Sequence, residues 1–362
     1  RKAGRKMAPG AGIGPSASDF DYQGGPIVTC PQVSLTFWGT GWQSKDGEAR
    51  RDKLERYAAD LLLSEQMNVL TQYSVGFGAG LTGRVVGSSL LATAPAQITN
   101  TAPNRIQDIV QGMINAATIP EPTNPTDAVL VIFLDDNIEV ESAFGQTMCE
   151  PTSDTAFGFH DVFSTAAGNP LVFAIVPGLS DTCLTDSCPG GNATCSLQTT
   201  QAQLDRITQV ASHELAEMFT DPSLNAWTGP SSGENGDICN GESGSINVDG
   251  RQWNVQRIYS EYDDAETNGA ADCLATVSTP RPRLKEWAQA LVADKVILGE
   301  TALGPPALAR LDRTLFLGWT GTDSSHHVNV VATNNGEQFF NKVTLAETSI
   351  DGTTLAAGDG HL

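Results

Sequence analysis

Up to about residue 275, short apolar runs alternate with segments of helical period, and this alternation limits the fold more than any other feature. "GGPIVTCPQVSLTFWG" is rich in β-branched and aromatic residues, is bounded by glycines and predicts a strand. "EARRDKLERYAADLLLS" follows with Leu54, Tyr57, Ala58, Leu61 and Leu62 at helical spacing. "NRIQDIVQGMINAA" repeats that pattern with Ile106, Ile109, Val110, Met113 and Ile114. "DAVLVIFLDD" and "NPLVFAIVPG" are apolar runs that end in turn signals, as buried strands do. Strands alternating with helices predict an α/β layer. With 362 residues, 40% of them hydrophobic, the chain can bury a sizeable core and hold more than one domain.

Charge and hydropathy exclude several partner classes. The net charge of −21 argues against nucleic acid and against an anionic membrane surface as general partners. No run approaches the ~18 apolar residues of a spanning helix, so no membrane span is expected. Arg1, Lys2, Arg5 and Lys6 form a short basic arm leading into "APGAGIGPSAS", which reads as a flexible lead-in over residues 1–20. A chain that starts on Arg suggests an earlier signal segment.

The cysteines agree with a secretory route. Seven are present, at 30, 149, 183, 188, 195, 239 and 273, and their spacing fits no zinc ribbon. "CLTDSCPGGNATC" packs three of them into a Gly/Asn/Ser loop, the pattern of a disulfide-stapled surface loop. Inside it Asn192-Ala193-Thr194 is a glycosylation sequon. An odd count leaves one thiol free or paired outside the chain. An extracellular protein is expected.

The character of the chain changes after "STPRPRLKEW", read as part of a linker over 276–299. Beyond it, helical periodicity stops. "ETALGPPALARLDRTL" at 300–315 aligns with "ETSIDGTTLAAGDGHL" at 347–362. "LFLGWTGTD", "HHVNVVATNNG" and "FFNKVTLAETS" lie between them as strand-turn units. A period in the forties suits a four-stranded propeller blade, and one blade cannot bury both its faces alone. The expectation for 300–362 is therefore a partial propeller-like repeat, either part of a longer array or with its last strand closing on another element, with Phe316 and Trp319 in the blade core.

The chemistry concentrates in "TTQAQLDRITQVASHELAEMFTDP", a continuous helix stopped by Asp221-Pro222. With His213 at zero, Glu217 falls at about 40° and Asp221 at about 80°, so imidazole and carboxylate can reach one ion from successive turns. Leu204, Ile207, Val210, Ala211, Leu215, Met218 and Phe219 span roughly 60° to 240°. Glu214, at about 100°, lies among them, where a carboxylate is costly to bury unless paired or used. In H-E-x-x-H zinc hydrolases the residue after the first His is the general base. Here the fifth residue is Glu217, and zinc accepts carboxylate oxygen in place of imidazole nitrogen. A third ligand must come from elsewhere: Glu234 or Asp237 in "GENGDIC", Asp221 on the helix itself, or His160 in "FGFHDVF".

Other motifs carry less. Ser212 and His213 are adjacent and cannot serve as nucleophile and base, and no G-x-S-x-G is present. "GFGAGLTGR" lacks the Lys-Ser/Thr of a phosphate loop. "DDAETNGAAD" does not fit EF-hand spacing and reads as a loop.

Several of these segments together resemble a known family. "YQGGPIVTCPQVSLTFWGTGW", "FGFHDVF…LVFAIVPG", "SHELAEMFTDPSLNAW" and "GENGDIC", in this order over residues 20–275, are similar to the bacterial and fungal branch of the phosphate-induced, exordium-like secreted proteins. That resemblance implies secretion and a zincin-like metalloprotease fold. His213, Glu214, Glu217, Glu234 and Asp237 match the branch's H-E-L-A-E…T-D-P and G-E-x-x-D-x-C motifs, and His160 matches a G-x-H position. The family's plant branch lacks the H-E pair and is tied to cell-wall growth signalling, so membership alone does not imply hydrolysis. The tail resembles repeats fused to some microbial members, which implies a binding or display module.

The combined expectation is an α/β domain with a mixed sheet over 21–275, followed by the β-repeat tail. Its function would be a secreted Zn2+-dependent peptidase cleaving peptide or protein substrates. His213, Glu217 and Asp237 would be ligands, Glu214 the general base, and His160 an orienting group, an oxyanion stabiliser or a further ligand. One alternative is a non-catalytic cell-wall or glycan-binding protein. Another is Ca2+ held by Glu234 and Asp237 as a purely structural ion.

Overall fold

The computed structural model describes residues 19–73, 83–93, 97–99, 101, 104–122, 127–136, 138–141, 148, 157–178, 200–267, 273–281, 301–303, 306–311, 314–333 and 340–349. The basic arm, the cysteine-rich loop with its sequon, and residues 350–362 of the second repeat copy lie outside these residues. The chain divides into two compact units, residues 1–74 with 78–284, and residues 75–77 with 285–362.

The first unit is built on a five-stranded mixed sheet. Its strands are β1 (Gln32–Trp38), β2 (Arg84–Leu91), β3 (Ala128–Leu134), β4 (Phe159–Ser164) and β5 (Pro170–Val176). The order across the sheet is β2-β1-β3-β5-β4. The first four in this order run parallel, and β4 pairs antiparallel along β5 with His160 opposite Ala174. β3 and β5 read AVLVIFL and PLVFAIV and are buried almost throughout, because a parallel sheet is covered on both faces.

Helices supply the covers. α1 (Lys45–Leu63) starts where Ser44 Oγ accepts the Gly47 N–H at 3.0 Å, with Asp46 and Glu48 in its first turn. Its Leu54, Tyr57, Ala58, Leu61 and Leu62 are buried, as the spacing predicts. α2 (Ile106–Asn115) sets Ile106, Val110 and Met113 against Leu130, Ile132, Phe173 and Ile175 on one face of the sheet. α3 (Thr200–Thr220) packs against β4, β5 and a hairpin. That hairpin pairs β6 (Ser243–Val248) with β7 (Arg251–Gln256) through Asp249-Gly250. Both turn residues have positive φ, 49° and 80°, the geometry for which Asp-Gly is favoured. Buried Asp60 of α1 fastens the hairpin by accepting two hydrogen bonds from the Arg251 guanidinium, at 2.7 and 2.8 Å, and one from Trp253 Nε1 at 2.8 Å.

Two segments depart from their reading. The acidic stretch expected as a loop instead begins in a helix, Glu261–Thr267. Ser260 caps it, accepting the Asp263 N–H, and carboxylates in a first turn favour the positive end of the helix dipole. Residues 277–281, at the start of the expected linker, are tied into the first unit. Val277 and Arg281 donate backbone N–H groups to Glu65 and Asn68, and Arg281 forks onto Asp263.

The second unit contains a four-stranded antiparallel meander, β8 (Ala307–Leu311), β9 (Thr314–Thr320), β10 (His327–Thr333) and β11 (Phe340–Thr348). Trp319 is buried and Phe316 partly so. The chain is thus mixed α/β followed by an antiparallel sheet, and no strands close into a barrel or propeller among the described residues.

Candidate metal centre

α3 carries His213, Glu214 and Glu217 on consecutive turns beneath the β4 edge of the sheet. β4 contributes His160, two residues after Gly158. The third contributor is a short helix, α4 (Asn235–Ile238), with Glu234 at its N-cap and Asp237 within it. The Glu234 N–H donates to Asp237 Oδ2 at 3.3 Å, and the disulfide Cys239–Cys273 holds the C-terminal end of α4. None of these six side-chain-bearing positions (160, 213, 214, 217, 234 and 237) is more than 5% exposed.

Distances define how the groups face one another. His213 Nε2 lies 3.0 Å from Glu217 Oε1. His160 Nδ1 lies 3.3 Å from Glu217 Oε2 and 3.4 Å from Glu214 Oε2, while its Nε2 lies 3.4 Å from Glu234 Oε1. His213, Glu217 and Asp237 each offer a ligand atom, all within 4.8 Å of one another, and so do His160, Glu214 and Glu217. Gln256 Nε2 is 2.6 Å from His213 Nδ1 and donates to the Gly236 carbonyl at 2.8 Å.

Glycines make this crowding possible. A Cβ on Gly236 would sit 2.8 Å from Glu217 Oε1 and 2.9 Å from His213 Nδ1. One on Gly158 would sit 2.5 Å from Glu214 Oε1. Gly233, at φ +77°, lies against the Asp237 carboxylate in a conformation that L side chains disfavour.

Asp221 is placed differently. It is buried, but its Oδ1 accepts the N–H groups of Asn225 and Ala226 at 2.6 Å each, capping the turn that follows α3. It belongs to neither ligand-atom set among the described residues.

Burial and mutual charge set the protonation of the cluster. Burial raises Glu214, and it drives Glu234 well above the usual carboxylate range. Burial, reinforced by the charge of Glu217, lifts Asp237 to about 8. Burial also opposes ionisation of Glu217, but the two imidazoles outweigh it and hold that carboxylate at about 2. For His213, burial disfavours the cation, yet Glu217 overrides it and raises the imidazole to about 10. His160 is raised as well, with Glu234 the leading charge against the burial cost.

The donor set fits a metal. His213 Nε2 and Glu217 Oε1 are close together, yet neither makes a hydrogen bond, and both are fully buried. The same holds for His160 Nε2. Buried polar atoms without partners are expensive, and ion coordination relieves that cost. Mixed imidazole and carboxylate donors suit zinc, whereas calcium takes oxygen alone. Sequence reasoning missed Gln256 and the three glycines. The glycines flanking "FGFH" and "GENGD" were a legible signal, but nothing local marks Gln256.

Comparison with known proteins adds one relationship. The chain is similar to Protein EXORDIUM-like 3 of Arabidopsis thaliana. The two are 24% identical over 247 residues, covering 62% of this chain and 69% of the relative. This likeness supports a relationship to the exordium-like proteins. No family model matches the chain, and no solved structure does. No helix among the described residues is long and apolar enough to cross a membrane.

Proposed function

We propose that the chain is a secreted zinc-dependent hydrolase of zincin-like type, acting on peptide bonds. The observation that carries this reading is the convergence of His213, Glu217 and Asp237 ligand atoms beside a further buried carboxylate, Glu214. Three protein ligands leave a position open, the composition of catalytic zinc sites. Zinc bound there would supply Lewis-acid polarisation of a substrate carbonyl and make its water more acidic. Glu214 is the general base. Its raised pKa, caused by burial, brings it closer to the range in which a carboxylate accepts and returns a proton at neutral pH. His160, with Nδ1 3.4 Å from Glu214, orients that carboxylate. The disulfide at Cys239 supports an oxidising compartment. In the second unit, the meander would be one blade of a propeller-type repeat that presents a cell-wall or glycan ligand.

One observation favours a second reading. Every residue of the cluster is buried, as in structural metal sites, which suits a non-catalytic binding protein stabilised by its ion. The Glu214→Gln variant separates the two. The hydrolase reading expects peptidase turnover to be abolished while zinc stays on His213, Glu217 and Asp237. Turnover equal to the parent protein sinks it. The structural reading expects no turnover in either form and a lowered Tm on chelation. Zinc content by elemental mass spectrometry, beside His213→Ala, tests the premise common to both.

A further inference from the structure

Glu217 presents its two carboxylate oxygens to two different imidazoles. Oε1 lies 3.0 Å from His213 Nε2, and Oε2 lies 3.3 Å from His160 Nδ1. Glu217 belongs to two three-residue sets of potential ligands, His213–Glu217–Asp237 and His160–Glu214–Glu217. No set unites the two imidazoles. We infer that the cluster is a two-cation centre in which Glu217 bridges a second divalent ion, held by His160 and Glu214, to the one held by His213 and Asp237. The inference rests on the proposed first position and adds a site to it.

The carboxylates of the cluster face imidazoles and one another. Glu214, Glu217, Asp221, Glu234 and Asp237 are five buried carboxylates, and none of them pairs with a lysine or arginine among the described residues. Carboxylate-bridged pairs of divalent ions are a recurrent hydrolytic arrangement. With the second position filled, Glu214 serves as a ligand in place of the general-base role it has beside a single ion, so that Glu214→Gln would lose one ion as well as turnover.

The test is metal stoichiometry on the full chain, saturated with zinc or manganese and desalted, for the parent protein, His160→Ala and Glu217→Gln. The expected result is two ions per chain in the parent, one in His160→Ala, and none in Glu217→Gln. One ion in the parent that His160→Ala retains overturns the second site and leaves the first standing. No ion in the parent overturns both. Electron paramagnetic resonance of the manganese-loaded parent protein needs no variant to fold. An exchange-coupled spectrum is expected, and the six-line signal of an isolated ion refutes the bridge.

Discussion

Two helical glycines meet opposite surroundings, and the same substitution at each should have opposite effects. Gly112 lies in α2, and a Cβ there would meet nothing within 4 Å. Gly112→Ala should therefore stabilise by about 0.5–1 kcal/mol, the helix-propensity and unfolded-chain-entropy gain of alanine over glycine. Gly236 lies in α4 against His213 and Glu217. Its Cβ would stand 2.8 Å from Glu217 Oε1, 2.9 Å from His213 Nδ1 and 3.0 Å from His213 Cε1, where ordinary contact begins at 3.4 Å. The atoms must part by roughly half an ångström, and overpacking of this kind costs about 1–3 kcal/mol. Subtracting the propensity gain leaves Gly236→Ala net destabilised by up to about 2.5 kcal/mol. The displaced atoms are the proposed ligands, so zinc affinity should fall at least about tenfold, as it does when groups that orient ligands are disturbed. Urea denaturation gives the stability difference, and chelator competition gives the affinity. Gly236→Ala with a raised midpoint and the parent's zinc affinity would refute the crowding on which the site rests.

Three further outcomes follow from the same geometry. Zinc must displace protons from Asp237, held up to about 8 by burial and Glu217, and from His213, raised to about 10 by Glu217 against burial. Affinity should therefore rise with pH between 6 and 8, by up to about a hundredfold per unit where two protons leave; a flat profile in chelator competition would contradict it. Replacing both Cys239 and Cys273 by Ser opens a loop with a sequence separation of 34 and should cost about 4 kcal/mol in denaturant unfolding. Parent-like stability in that double variant would mean that the bridge does not restrain the unfolded chain. Asp60→Ala strands the Trp253 indole N–H and the Arg251 fork, and should destabilise by about 1–3 kcal/mol without changing zinc content. Loss of zinc in a folded Asp60→Ala protein would show that the hairpin anchor also sets the ligands.

Local patterns determined a good deal of this molecule. The apolar runs of β3 and β5, the periodicity of α1 and α3, and the stop at Asp221-Pro222 are properties of a few consecutive residues, and they appear where the pattern places them. The facing of His213 and Glu217 is equally local, because residues four apart on a helix share a face. Composition misled at residues 263–267, where one capping serine upstream outweighed the loop-like reading of an acidic run. What α3 faces was beyond any local reading. His160 arrives on an antiparallel edge strand, Asp237 and Glu234 on a four-residue helix, and Gln256 at the end of a hairpin strand clasped by Asp60. Their meeting depends on strand order and on how helix and hairpin pack against the sheet. These are cooperative outcomes of burying apolar surface, and no single stretch of sequence encodes them. The sequence by itself thus determined the face of one helix that carries His213 and Glu217; only the tertiary structure decided that five carboxylates and two imidazoles would share one buried interior.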